Sequence, residues 1–295
     1  MNSSSTRGKF KCFKLMNIEI VIKNGIKELK KNKISSALLD SELLLSKVIR
    51  KDRKFILLNP DKEIDQSDQN SFKELIIKRS KGKPIAYLTG IKSFWNYDFK
   101  INDKVLIPRP DTEIIIEQVL DIYKNKNNIN FLEVGIGSGC IGLSILKEKK
   151  SFKATGIDLS QDCIEICRYN ANKLRVGERL RLLKSDVDNL IFRKYDLIVS
   201  NPPYIKKIDL NKLDKDVKNY EPKLALDGGL EGLSIIRKVV KKSSDLLKTN
   251  GKLILEIGYD QREPVRKMLN ENNFYINKFI KDLAKNDRCV ISTKK

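Results

Sequence analysis

Residues 17 to 80 place apolar side chains three and four positions apart. IEIVIKNGIKELKK and SSALLDSELLLSKVI read as two amphipathic helices, with Ser35 or Ser36 placed to cap the second. FKELIIKRSKG reads as a third helix, stopped by Gly82 and Pro84. Over 85–107, IAYLTGIKSFWNYDFKINDKVLI, aromatic residues and alternation take over and predict a β-hairpin joining two domains. PRPDTE follows, Pro108 to Glu113. Pro110 suits the first turn of a helix, and Asp111 and Glu113 suit its positive end.

From 131 onward, strand patterns alternate with helical ones. FLEVG, FKATGID, LRLLKSD and DLIVS read as strands, with helices beginning near Cys140 and Gln161. A helix around 231–247 leads to a fifth strand in LLKTNGKLILEIG. NNFYINKFI and RCVIST close the chain as two further strands. This order predicts an α/β fold, a doubly wound parallel sheet whose terminal hairpin makes the last strand antiparallel. The expected domains are a helical one over 16–83, the hairpin over 84–107 and the α/β domain over 108–295. Residues 1–15 are polar and basic with no apolar h-region. They read as a disordered tail or a misassigned start rather than a secretory signal, and Met16 opens the regular pattern.

Composition narrows the chemistry. The 295 residues are 40% hydrophobic and 33% charged, enough for one large domain and a small one. No apolar run approaches the ~20 residues that span a bilayer, and five scattered cysteines that read as reduced lead us to expect a cytoplasmic protein. The absence of histidine excludes the Ser-His-Asp triad, Cys-His pairs and HExxH zinc chemistry. Cys12, Cys140, Cys163, Cys167 and Cys289 are scattered and odd in number, and read as reduced thiols that bind no metal. The net charge of +21 comes mostly from Lys, 45 against 14 Arg, spread along the whole chain. Arg is the better bidentate reader of phosphates and bases, so this balance reflects AT-rich coding more than a dedicated nucleic-acid surface.

Candidate chemistry sits at the strand ends. The first strand runs into Gly135-Ile136-Gly137-Ser138-Gly139, a turn that lets backbone approach a ligand. The second ends in Asp158, placed to accept the hydroxyls of a ribose. The third ends in Asp186, which can accept from an adenine amino group or cap a turn. The fourth ends in Asn201-Pro202-Pro203-Tyr204. Together these resemble the class I S-adenosylmethionine-dependent methyltransferases, whose [DN]PPY members methylate the nitrogen of a planar NH2 group. Such a nitrogen has a delocalised lone pair and needs both N–H bonds held so that the pair faces a sulfonium methyl. The Asn201 side-chain oxygen and the Pro202 carbonyl can each accept one N–H, and the prolines fix that carbonyl in advance. Tyr204 offers a flat face to the planar group.

NPPY alone admits adenine N6, guanine N2 or a glutamine amide. LIPRPDTE (106–113), SNPPYI (200–205), YEPKLALDGGLEGL (220–233), EIGYDQ (256–261) and DLAKNDRCVI (282–291) together resemble the HemK/PrmC family of release factor glutamine N5-methyltransferases. The resemblance implies a Rossmann-like seven-stranded sheet, S-adenosyl-L-methionine as cofactor and the Gly-Gly-Gln glutamine of class I peptide chain release factors as substrate. It implies that Gly135, Ile136, Gly137, Ser138, Gly139, Asp158, Asp186, Val187 and Asn201 meet the cofactor. It assigns Asn201, Pro202, Pro203 and Tyr204 to the glutamine, with Asn201 and Pro202 catalytic. Val187 stands where the family often has an aromatic, and Lys285 where the family has a glycine. A monomer that needs no nucleic acid is expected, with the helical domain docking the body of the release factor. The alternatives are a DNA or RNA amino-methyltransferase, a ribosomal-protein glutamine methyltransferase, and a non-catalytic basic adaptor. The first lacks an inserted base-recognition domain, and PRPDTE speaks against the second.

Overall fold

The computed structural model describes residues 16–191 and 194–295, so the expected tail and Cys12 lie outside the described residues. The chain divides into two compact units, Met1–Thr89 and Gly90–Lys295.

The first unit holds helices α1 (Ile18–Lys31), α2 (Ala37–Ile49), α3 (Arg53–Leu58), α4 (Gln66–Ser80) and α5 (Ile85–Thr89). Asn17 caps α1 by accepting from the Ile20 N–H, and Asp65 caps α4 by accepting from the Asp68 N–H. The third predicted helix therefore begins six residues before Phe72, at Gln66. Ser36 does stand at the start of α2, but its hydroxyl donates to Asp40 instead of capping the backbone. Asp40 is buried and also holds Arg79 at 2.7 Å, which ties α2 to α4. The apolar stripes meet in one core that includes Ile18, Leu29, Leu44, Leu45, Phe72 and Ile76. Ile85–Thr89 is helical, not extended, because the Pro84 carbonyl accepts from the Tyr87 and Leu88 N–H groups.

The second unit opens with the predicted hairpin, shortened to Ile91–Phe94 and Tyr97–Lys100. Its main sheet has seven strands: β1 (Asn130–Val134), β2 (Lys153–Asp158), β3 (Leu180–Lys184), β4 (Tyr195–Ser200), β5 (Leu247–Glu256), β6 (Phe274–Lys281) and β7 (Asp287–Lys294). They run in the order β6-β7-β5-β4-β1-β2-β3. Strands β3, β2, β1, β4 and β5 are parallel, while β7 pairs antiparallel with both β5 and β6.

Alternation along the strands builds two cores. Phe131, Leu197, Val199 and Ile254 face one core, filled by α6 (Glu113–Ile122), α7 (Cys140–Glu148) and α8 (Gln161–Lys173). Leu132, Ile198, Leu253 and Leu255 face the other, filled by α10 (Ser234–Leu246) and α11 (Arg262–Glu271). A short helix, α9 (Lys215–Tyr220), lies between β4 and α10 in the chain. The strand order reverses between β1 and β4, and ligands in such sheets bind at the carboxyl ends of the strands beside that reversal.

Asn170, on α8, is 1% exposed. Its oxygen accepts from the Lys100 N–H at 2.8 Å. Its amide donates to the Lys100 and Ser138 carbonyls at 3.0 and 2.9 Å. One side chain thus fastens both the hairpin and the glycine turn to α8. Asn170→Asp keeps the shape but removes both donors, leaving two carbonyls facing a carboxylate. We expect a loss of roughly 2–4 kcal/mol, read as a lower urea midpoint at unchanged slope.

Candidate active site

A cleft of about 360 Å³ opens at the carboxyl ends of β1, β2 and β4. Its walls include Gly135, Ile136, Gly137, Ser138, Asp158, Asp186, Val187, Asn201 and Pro203. Nine of the residues expected at the site from the sequence therefore share one cavity. Gly139, Pro202 and Tyr204 do not line it. Pro202 is buried at the motif's base, and Tyr204 packs against the core on the α10 side of the sheet.

The glycine turn owes its composition to its backbone. Gly135, Gly137 and Gly139 have φ of +73°, +54° and +82°, in the left-handed region that side chains resist. A Cβ at Gly139 would lie 2.7 Å from both Cys167 Sγ and Leu143 Cδ1. At Gly135 it would meet nothing within 4 Å, so the chain there is bare to the cleft. Glu133, one residue inside β1, is buried and accepts from the Gly142 N–H in the first turn of α7 at 2.8 Å. Burial drives its carboxyl well above the ordinary range, against that N–H, and the nearby Asp158 charge adds to the rise. Sequence reading had left Glu133 unassigned.

Asp158 closes the turn from the next strand. Its Oδ2 accepts from the Gly137 N–H and its Oδ1 from the Ser160 N–H, both at 2.9 Å. Burial raises its carboxyl, against those two donors. It does not cap α8, since Ser160 does so by accepting from Cys163. Asp158 lines the cleft with its carboxylate oriented by these two donors, which suits it to accept from a ribose. The bare turn, this oriented acid and the apolar Val187 wall suit a nucleoside-bearing cofactor. Asp186 caps a turn by accepting from the Asp188 N–H at 3.0 Å, and lies 3.5 Å from Lys238 Nζ.

The NPPY motif is anchored from behind. Asn201 Nδ2 donates to Thr112 Oγ1 at 3.0 Å, and Thr112 Oγ1 donates to Glu256 Oε2 at 2.7 Å. The Tyr204 hydroxyl donates to the other oxygen of Glu256 at 3.1 Å. Arg288 reaches the same hydroxyl at 3.4 Å and is held by Asp282 at 3.0 Å. Gln261 donates to the Tyr204 and Gly232 carbonyls. Arg109 pairs with the buried Glu221 at 2.6 Å, and Glu221 also accepts from the Ile107 N–H. Thr112, Glu256, Gln261 and Arg288 were missed as site residues, although each lies in a stretch singled out above. Lys285 stands at φ +66° in the turn beside Asp282, so the turn keeps the left-handed geometry of a glycine.

Among the described residues no His, Cys, Asp and Glu cluster could hold a metal ion, and Cys140, Cys163, Cys167 and Cys289 are free thiols. Burial pushes the Cys163 thiol up to about 12, away from nucleophilic use. No helix among the described residues is long and apolar enough to cross a membrane.

Two family models and several known proteins resemble this chain. Residues 21–90 match the family described as PrmC N-terminal domain, and residues 112–219 match the Methyltransferase small domain. A release factor glutamine methyltransferase of Clostridium botulinum is 40% identical, over 95% of this chain and 100% of its own length. One from Fusobacterium nucleatum is 38% identical, over 98% of this chain and 82% of its own. A solved methyltransferase from Pyrococcus furiosus shares the fold at a TM-score of 0.51 and 19% identity, covering 75% of this chain and 97% of its own.

Glu256 gives the site a pH signature. Burial lifts its carboxyl from 4.5 to about 7, against the Thr112 and Tyr204 donors and the Arg288 charge, with Asp111 adding to the rise. A raised folded value means the native state holds the proton more tightly than the unfolded chain. The contribution to stability is then complete below 4.5 and is lost as pH climbs to about 7. Denaturation of the wild type against Glu256→Gln at several pH values should show the wild type losing ground across that window and holding level above it.

Proposed function

The chain belongs to the release factor glutamine methyltransferase family, and from that we propose the following reaction for it. It transfers the methyl group of S-adenosyl-L-methionine to the side-chain amide nitrogen of the Gly-Gly-Gln glutamine in class I peptide chain release factors. The observation that carries the reading is the anchored Asn201 of NPPY, which lines the same cleft as the glycine turn and Asp158.

Gly135, Ile136, Gly137 and Ser138 would present the glycine turn to the cofactor, Asp158 would accept from its ribose, and Val187 would lie against its adenine. The cofactor supplies an electrophilic methyl on a sulfonium. Asn201 Oδ1 accepts one N–H of the glutamine amide and the Pro202 carbonyl accepts the other. Held this way, the nitrogen offers its lone pair toward the methyl. A new N–C bond forms while the pair of the S–C bond stays on sulfur. The surplus N–H proton then leaves to solvent, so no base poised near neutrality is required. Holding the reacting atoms at attack distance can supply ~7–11 kcal/mol of the barrier. Tyr204 supports the motif through Glu256, and the helical unit docks the release factor. We place the reaction in the cytoplasm and expect a monomer.

Incubation with labelled cofactor and a class I release factor should add one methyl group to the Gly-Gly-Gln glutamine by peptide mapping. Labelling of DNA or RNA in place of that glutamine would overturn the reading. Asn201→Ala should raise the barrier by about 2.7–4 kcal/mol, the cost of removing one preorganised polar contact to the reacting group. Turnover close to wild type would reduce Asn201 to a structural residue.

A further inference from the structure

An asparagine can present either its oxygen or its NH2 to a substrate, and the two ends have nearly the same shape. Only one orientation suits methyl transfer to an amide, because the substrate nitrogen carries donors and must meet acceptors. Something has to choose the end.

We infer that Glu256, acting through the Thr112 hydroxyl, is the positioning device that turns the oxygen of Asn201 toward the substrate. The inference rests on the reaction proposed above for Asn201. The Thr112 hydroxyl has one proton, and it lies 2.7 Å from Glu256 Oε2. The carboxylate is 1% exposed and has only acceptors on that side, so it takes the proton. Thr112 Oγ1 can then only accept from Asn201, and the group it meets at 3.0 Å is Nδ2. With Nδ2 committed, Oδ1 is the end left over. Among the described residues none donates to Oδ1, and Asn201 lines the cleft. The direction holds whenever Oε2 carries no proton.

The second oxygen of Glu256 takes the Tyr204 hydroxyl at 3.1 Å, which fixes the carboxylate plane and keeps Oε2 aimed at Thr112. Arg288, 13% exposed, stands beside that hydroxyl and keeps a positive charge near the pair. Thr112 itself is 2% exposed and held at the turn that opens α6, so it has little freedom to choose another partner. Without the hydroxyl nothing holds Nδ2, so the Asn201 amide loses both its preferred end and its fixed distance from the reacting nitrogen.

Thr112→Val keeps the volume and removes the hydroxyl, while Thr112→Ser keeps the hydroxyl. We expect Thr112→Val to lower kcat on a release factor by ~10²-fold, the scale of a misaligned reacting group, with KM and cofactor affinity by calorimetry little changed. Thr112→Ser should recover most of the lost rate. A second readout needs no activity: the side-chain NH2 protons of Asn201, followed by nitrogen-edited NMR, should exchange slowly in wild type and Thr112→Ser and quickly in Thr112→Val. A Thr112→Val rate close to wild type, or unchanged exchange, would overturn the relay. If the wild type leaves the release factor unmethylated, the proposed reaction fails, and the exchange measurement still decides the relay.

Discussion

A single buried carboxylate organises this site. Glu256 ends β5 at 1% exposure and accepts a hydroxyl on each oxygen, Thr112 from the turn before α6 and Tyr204 from the turn after β4. Burying a carboxylate is costly unless its acceptors are filled. That cost is why the arrangement is specific. Moving either hydroxyl would leave an acceptor empty in a low-dielectric place, so the turn before α6 and the NPPY turn are held in one relative position. Asn201 inherits its orientation from that constraint.

The same logic joins stretches that are far apart in the chain. Arg109 of PRPDTE clamps Glu221, whose neighbour Pro222 forms a wall of the cleft. Asp282 holds Arg288 next to Tyr204. Gln261 binds the Tyr204 carbonyl. The stretches around 106–113, 220–222, 256–261 and 282–288 thus all bear on one four-residue turn. Asp158 holds the glycine turn by accepting from Gly137, and Glu133 holds the first turn of the following α7 by accepting from Gly142. The two halves of the reaction therefore have separate supports on one rigid sheet, which suits a transfer in which neither partner can wander.

Much of this was legible in the sequence. Strand-like runs alternating with helical ones gave the seven strands, and the turns at their carboxyl ends gave the glycine loop, Asp158 and Asn201, because a parallel sheet has only one end where ligands fit. Short elements were not legible. Helix α3 has six residues and α5 five, too few to show a helical period, and the aromatic content of Ile85–Thr89 mimics a strand. Thr112, Glu256 and Asn170 were missed for a different reason. Each looks ordinary where it stands, and its role depends on a partner at least 32 residues away. Asp186 fills one of the two roles its sequence position offered, capping a local turn, and it also lines the cleft.

The most direct test of the account is the position of two sets of protons. Neutron diffraction from deuterated crystals shows which end of Asn201 carries hydrogen and where the Thr112 hydroxyl points. The account predicts deuterium between Thr112 Oγ1 and Glu256 Oε2, and two deuterons on the end of Asn201 that faces Thr112. A Thr112 deuteron aimed at Asn201, with the Asn201 oxygen facing it, would contradict the claim that Glu256 sets the polarity of the site.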